Sequence, residues 1–183
     1  MLEFNFTPFP ELKTERLVLR RMTTADAGQM FFLRSDDRVM KYIGREKTKS
    51  VEEAEDFIRK INVFIETNES IMWAIALNSD PAMLIGTICF WRLQPENFRA
   101  EVGYVLHPGY WNRGIMKESL LAVIKYGFEG MSLHSIEAHI NPENIASGKV
   151  LENTGFVREA YFKENCYFHG AFRDTAIYSL LNK

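Results

Sequence analysis

The stretch AEVGYVLHPGYWNRGIMKE, residues 100–118, decides the fold of this chain. Its first half is rich in Val and Tyr and predicts a strand over residues 99–106, which stops at His107-Pro108-Gly109. From Met116 onward the apolar residues recur with a helical period, which predicts an amphipathic helix. A turn with one glycine, Gly114, joins the two. We therefore expect a strand, a turn and a helix at the centre of the fold.

Further strands and helices are predicted on both sides of this stretch. Apolar runs with alternating or β-rich residues predict strands over residues 16–20, 71–77, 84–93, 135–140, 156–163 and 175–181. One helix is predicted after Thr23-Thr24, and another where Ser50 is followed three residues later by Glu53, the pattern of a capping box. A last helix is predicted over residues 144–153. This order predicts an α/β fold with a mixed, mostly antiparallel central sheet flanked by helices.

Length and composition predict one domain over residues 1–183, with residues 1–11 as an extended leader that carries Phe4, Phe6 and Phe9. The formal charge of −2 and the pI of 6.1 give no basic field, so no nucleic acid partner is expected. The sequence has no apolar run of about 18 residues and no signal peptide pattern, so no membrane partner is expected. Cys89 and Cys166 are expected to be buried free thiols, which suits the cytoplasm.

The turn before the central helix is a candidate anion site. Helix N-termini carry unpaired N–H groups and partial positive charge, and Gly114 lets the backbone approach a pyrophosphate closely. A simple connector between strand and helix is the alternative. A Walker A loop is excluded because Ile115 and Met116 follow Gly114, and the spaced glycines of a dinucleotide fingerprint are missing.

Several stretches, in this order, resemble the GCN5-related N-acetyltransferases (GNAT superfamily), and specifically the Rim-type branch that acetylates the N-termini of ribosomal proteins. The stretches are residues 100–118, Glu137-Ala138, residues 141–147 and residues 150–156. The resemblance runs from about Leu12 to Leu181, so it covers nearly the whole chain. It implies that two central strands splay apart and that the pantetheine arm of acetyl-coenzyme A (acetyl-CoA) lies in the gap.

The resemblance also implies which residues bind acetyl-CoA, the expected co-substrate. Main-chain groups of Tyr104, Val105 and Leu106 would hydrogen-bond the pantetheine arm, and a main-chain N–H near Leu106 would meet the oxyanion. The pyrophosphate loop would be Trp111, Asn112, Arg113, Gly114, Ile115 and Met116. This loop keeps only the first glycine of the family pattern, and Met116 stands where a small residue is usual, so its side chain would narrow the loop.

Acetyl transfer to an amine requires a neutral nucleophile, a polarised carbonyl and a proton for the departing thiolate. Glu101 is the predicted base, because it is a charged residue inside an otherwise apolar strand. The alternative is a solvated carboxylate, or one paired with Arg92 or Arg99. Either direct contact with the amine or action through a bridging water fits this prediction.

Asn144 and Ser147 lie three residues apart at the start of a predicted helix, and hence on one face. The resemblance places them beside the pantetheine and the thiol, where Ser147 would protonate the leaving thiolate. The alternative for Asn144 is a helix cap. Tyr161 and Tyr167 are weaker candidates for the acid, with core packing as the favoured role for both. The histidines lack the spacing of metal ligands, so no metal is expected.

The predicted function is direct transfer of an acetyl group from acetyl-CoA to a primary amine in a ternary complex. The resemblance favours the N-terminal α-amine of a protein as acceptor, and a small amine is the alternative. A non-catalytic sensor of coenzyme A is a second alternative. A third is an interaction domain that uses Phe4, Phe6 and Phe9 as a docking strip. The sequence leaves a monomer and a homodimer equally open.

Overall fold

Eight strands form one sheet in the computed structural model, which describes residues 2–182. The strands are β1 (Leu12–Lys13), β2 (Leu17–Arg20), β3 (Ile71–Leu77), β4 (Gly86–Gln94), β5 (Arg99–Leu106), β6 (Ser135–Ile140), β7 (Val157–Phe168) and β8 (Ala171–Leu181). The helices are α1 (Ala27–Ser35), α2 (Asp37–Met40), α3 (Val51–Glu66), α4 (Ile115–Lys125) and α5 (Ile145–Glu152). The strand order is β1-β2-β3-β4-β5-β6-β8-β7, which confirms the predicted α/β fold with a mostly antiparallel sheet.

The predicted elements agree with the structure to within a few residues at most ends. Helix α3 begins as expected, since Ser50 Oγ accepts the N–H of Glu53 at 3.3 Å. The Glu53 carboxylate returns a hydrogen bond to the N–H of Lys49 at 2.8 Å, one residue earlier than in an ideal capping box. The short elements β1 and α2 were not predicted, and the hairpin of β7 and β8 is longer than its apolar pattern indicated.

Strands β5 and β6 form the parallel pair that positions the site. Their pairing runs from Arg99 opposite Ser135 to Glu101 opposite Glu137 and ends there. Both strands continue, β5 for five residues after Glu101 and β6 for three after Glu137. The two strands therefore separate beyond Glu101, as the predicted splayed pair requires.

The leader packs into the core. Phe6 is 1% exposed, and the indole N–H of Trp73 on β3 donates to the carbonyl of Pro10 at 2.7 Å. Trp73 in turn packs edge-on against Phe90 and Tyr126. The docking-strip alternative for the leader is therefore wrong for the described residues, because its central phenylalanine is not available to a partner.

Two further expectations concern the thiols and the membrane. Cys166 is exposed and Cys89 is half-buried, so the prediction that both cysteines are buried is wrong. Cys166 is exposed because it lies on β7, at the edge of the sheet.

Among residues 2–182, no helix combines the length and the apolar character needed to cross a bilayer.

Candidate active site

The edge of β5 beyond Glu101 presents backbone groups to the gap. Just before β5, the carbonyl of Phe98 accepts the N–H of Ser135 on β6 at 3.3 Å. Just after β5, the N–H of His107 points to the other side, toward β4, and donates to the carbonyl of Ile85 at 2.8 Å. Because ladder bonds alternate along a strand, even-numbered residues of β5 turn their backbone groups toward β6. Tyr104 and Leu106 therefore face the gap.

This alternation divides the three residues predicted to bind the pantetheine arm. The backbone groups of Val105 face β4, where Val105 lies opposite Thr87. One of the gap-facing groups is already used by the protein, since the indole N–H of Trp111 donates to Leu106 O at 2.8 Å. An extended ligand in the gap can therefore reach the N–H and C=O of Tyr104 and the N–H of Leu106, but not the main chain of Val105.

The loop from Trp111 to Met116 leads from the end of β5 into α4. Gly114 is the residue before the first turn of α4 and has a φ of 74°, which favours glycine. Asn112 and Gly114 are exposed, whereas the side chains of Ile115 and Met116 are buried in the core. The expectation that Met116 narrows the loop is therefore wrong, because its side chain points into the core and not into the loop.

Arg16 holds this loop against the start of α4. Its guanidinium donates to the carbonyl of Arg113 at 3.0 Å and to the Glu118 carboxylate at 2.7 and 2.6 Å. Glu118 lies in the first turn of α4, where a carboxylate also favours the positive end of the helix. The sequence placed Arg16 at the start of a predicted strand but gave no signal for this long-range contact.

Glu101 lies at the last paired position before β5 and β6 separate, and it is 3% exposed. Strand β4 bulges between Trp91 and Gln94, and Arg92 in this bulge brings Nη1 to 3.0 Å from Glu101 Oε2. Burial raises the pKa of Glu101, and the nearby His139 and Arg92 only partly oppose this. Of the alternatives for this carboxylate, solvation is excluded and the pairing with Arg92 is present.

Two residues of β6, Glu137 and His139, complete the surroundings of Glu101, and neither has a role predicted from the sequence. His139 Nδ1 lies 4.0 Å from Glu101 Oε2, and His139 Nε2 lies 3.6 Å from Glu137 Oε1. Arg99 Nη2 lies 3.5 Å from Glu137 Oε2, so each carboxylate faces one guanidinium. Two guanidiniums thus lie opposite the two carboxylates. The period-2 alternation of β6 was the signal that could have placed Glu137 and His139 on one face.

Ser147 lies near the start of α5 and is buried. Its N–H donates to Asn144 Oδ1 at 3.2 Å, so the alternative that Asn144 caps the helix is confirmed. Its Oγ lies 2.9 Å from the hydroxyl of Tyr104 on β5, whose pKa burial raises to about 12. This hydroxyl contact, which the sequence did not indicate, joins β5 to α5.

The remaining candidates lie on the surface or are unreactive. Tyr161 and Tyr167 are 45% and 64% exposed, so the predicted core packing of both is wrong. They belong to the exposed edge strand β7, and the Tyr161 hydroxyl donates to Asp174. Cys89 is half-buried as a residue, but its thiol group is enclosed, and this burial raises the pKa of the thiol to about 12, which keeps it protonated and unsuited to carry an acyl group.

The architecture is that of an acetyltransferase. Over 94% of this chain and 98% of the other, it matches the crystal structure of a GNAT-family acetyltransferase from Bacillus anthracis, with a TM-score of 0.83 and 32% identity. The family model described as Acetyltransferase (GNAT) domain matches residues 16–157. The chain belongs to the GNAT acetyltransferases.

Two curated relatives are similar to this chain over different extents. The uncharacterized N-acetyltransferase YoaA of Bacillus subtilis (strain 168) is 36% identical over 94% of this chain and 97% of its own. The [ribosomal protein uS5]-alanine N-acetyltransferase of Escherichia coli (strain K12) is 29% identical over 66% of this chain and 62% of its own. The chain is therefore an N-acetyltransferase that depends on acetyl-CoA.

Proposed function

We propose that the acceptor of this acetyltransferase is the N-terminal α-amine of a protein, with Glu101 as base and Ser147 as acid. The observation that carries the assignment of the base is the burial of the Glu101 carboxylate where β5 and β6 separate. The uS5-alanine N-acetyltransferase, similar over two thirds of the chain, supports an acceptor of this type.

The gap and the loop provide the groups that acetyl-CoA requires. The free N–H and C=O of Tyr104 and the N–H of Leu106 hydrogen-bond the amides of the pantetheine arm as an added strand would. The loop from Trp111 to Gly114 and the start of α4 bind the pyrophosphate through backbone N–H groups. The bend at Gly114 exposes backbone without a side chain, so the loop fits a phosphate despite its single glycine.

The α-amine is the acceptor that a carboxylate base can serve. Deprotonating an α-amine with a pKa of about 7.7–8.0 at pH 7 costs about 1 kcal/mol, against roughly 4–5 kcal/mol for a lysine side chain. Burial raises the pKa of Glu101 and so brings it closer to that of the amine. Glu101 takes the ammonium proton, directly or through one water, and the free amine attacks the thioester carbonyl.

Ser147 supplies the proton that the departing thiolate needs, and its Oγ regains a proton from water once coenzyme A has left. The Tyr104 hydroxyl stays protonated because its pKa is raised to about 12, and we assign it as the donor in its 2.9 Å contact with Ser147 Oγ. The proton of Ser147 is then left free to face the sulfur. The N–H of Leu106, next to the gap, is the donor placed for the oxyanion.

The proposal is tested by mass spectrometry of products from acetyl-CoA and a panel of acceptors. The panel contains peptides that begin with Ser or Ala, the same peptides with blocked N-termini and one internal lysine, and small polyamines and amino acids. Acetylation of the free N-termini alone is the expected result. Acetylation of small amines alone would overturn the peptide acceptor, and binding of acetyl-CoA without any product would support a coenzyme A sensor instead.

A further inference from the structure

A cluster of three titratable side chains, two of them buried, spans the end of the β5–β6 pairing, and the proposed mechanism uses only one of them. Glu101 contributes one carboxylate and Glu137, opposite it on β6, the second. His139 is two residues further along β6, with its ring nitrogens 4.0 and 3.6 Å from the two carboxylates. His139 Nε2 is buried without a hydrogen-bond partner among the described residues.

The three side chains differ in access to solvent. The side chains of Glu101 and Glu137 are 4% and 11% exposed, whereas that of His139 is 27% exposed. A proton that reaches Glu101 therefore has no direct exit through its own surface. His139 is the member of the cluster that connects Glu101 to water.

The charged groups around the cluster come from each neighbouring strand. Arg92 on β4 faces Glu101, and Arg99 on β5 faces Glu137. On the other side β8 places Ser179 opposite Glu137 and Ile177 opposite His139, and neither of these titrates near neutral pH. Two guanidiniums thus face the two carboxylates, and the imidazole ring of His139 lies within 4.0 Å of both carboxylates.

We propose that His139 is a positioning residue for Glu101: His139 relays to solvent the proton that Glu101 takes from the acceptor amine. Glu137 holds the imidazole ring of His139 in place. The inference rests on the proposed function of Glu101 as base. The distances from the His139 nitrogens to the two carboxylates exceed those of direct hydrogen bonds. A shift of the ring by less than about 1 Å, or one bridging water, would complete the hydrogen bonds, and catalytic hydrogen bonds are often long before substrate binds.

The relay balances in protons. The ammonium N–H bond breaks and its proton moves to the Glu101 carboxylate, giving the free amine and a carboxylic acid. The acid passes its proton to His139 Nδ1, which restores the carboxylate and gives an imidazolium whose Nε2–H faces Glu137 Oε1. Because Nε2 is buried, the proton leaves the imidazolium from Nδ1 to water while the Nε2–H stays at Glu137, and the cluster returns to its starting charge.

The test compares His139→Gln, His139→Ala and Glu137→Gln with wild type, using acetyl-CoA and a peptide that begins with Ser or Ala. His134→Gln is the matched control, because His134 is exposed and precedes the same strand. We expect His139→Gln to lower kcat on the order of tenfold to a hundredfold and to change its pH profile between about pH 6 and 9. Acetyl-CoA binding by calorimetry is expected to stay unchanged, and added imidazole to restore turnover to His139→Ala but not to Glu101→Gln.

The outcomes separate this inference from the proposed function. If wild type acetylates no amine, both fail together. If wild type turns over and His139→Gln keeps the wild-type kcat, only the relay is overturned. The same holds if His139→Ala binds acetyl-CoA normally and added imidazole does not raise its turnover. Should the His139 variants lose acetyl-CoA binding through misfolding, Glu137→Gln decides alone: a lower kcat with an altered pH profile supports the relay, and an unchanged kcat overturns it.

Discussion

At the scale of single residues, Glu101 is held in a place that disfavours its own charge. Burial raises its pKa, against the opposing effects of His139 and Arg92. A buried carboxylate of this kind keeps a proton more firmly than one in water, which suits a base that must take a proton from an amine. The same burial makes the ionised form a cost to the folded state.

Glu101→Gln is expected to lower kcat by about 10²–10⁴-fold, the usual contribution of a general base, because glutamine cannot accept the amine proton. Steady-state release of coenzyme A measures this, and calorimetry should find acetyl-CoA binding unchanged. Glu129→Gln is the matched control, since Glu129 is an exposed glutamate on the far side of α4 from the loop. Equal kcat values for Glu101→Gln and wild type would remove Glu101 from the chemistry.

Glu101→Gln is also expected to raise the melting temperature at neutral pH. A carboxyl whose pKa is raised by folding contributes stability that is present at low pH and lost as the pH rises through its folded pKa. Glutamine keeps the shape of the side chain and has no charge to bury, so it avoids this loss of stability. The gain in melting temperature over wild type should therefore shrink as the pH is lowered. Thermal unfolding at several pH values measures it. A variant that melts lower than wild type at neutral pH would show that the ion pair with Arg92 outweighs burial.

The hydroxyl pair of Tyr104 and Ser147 predicts a graded effect. Ser147→Ala removes the proposed acid and should lower kcat on the order of 100-fold. Tyr104→Phe removes only one hydrogen bond to it, worth about 1 kcal/mol, so about a fivefold loss is expected. Tyr126→Phe is the control, because Tyr126 is partly buried and packs on Trp73 instead. If Tyr104→Phe lost more activity than Ser147→Ala, the tyrosine would be the acid.

At the scale of elements, the turn into α4 depends on one backbone conformation. Gly114→Ala places a Cβ at a φ of 74°, which costs about 1–2 kcal/mol, although the nearest atom, Arg16 Nη2, is at an ordinary 3.4 Å. The strain falls on the proposed pyrophosphate loop, so the Kd for acetyl-CoA should rise. Gly155→Ala is the matched control, with a φ of 94° after α5 and Leu180 Cδ1 at 3.4 Å. It should lose similar stability in urea and keep its Kd, and equal Kd changes in both variants would refute a role for the turn.

The local elements were predictable because short-range patterns determine them. The strand periodicity of residues 71–77, 99–106 and 135–140 gave the bounds of β3, β5 and β6 without error. The cap at Ser50 and the glycine before α4 fixed two helix starts in the same way. The length of hairpin β7–β8 was underestimated. Strand pairing holds the outer half of this hairpin, but the side chains there are mostly exposed and so show no burial pattern in the sequence.

At the scale of the whole molecule, the site is assembled by contacts that no local pattern encodes. Glu101 was found because a charge in an apolar strand is visible in the sequence, but its partners come from the β4 bulge and from β6. The spacing of the histidines along the chain gave no signal for His139, and only the parallel register brings it beside Glu101. The burial of Met116 and of Phe6 is likewise not encoded locally, because burial depends on what folds over a residue.

The leader contributes to the stability of the whole molecule, because its Phe6 side chain is buried in the core. Phe6→Ala is expected to lower the free energy of unfolding by about 3–5 kcal/mol, the usual cost of removing a buried aromatic ring. Phe98→Ala is the control, because Phe98 is a large exposed side chain and should change stability little. Urea unfolding followed by tryptophan fluorescence measures both, as Trp73 lies beside the leader. Equal stability of the two variants would mean that the leader is an accessory rather than part of the core.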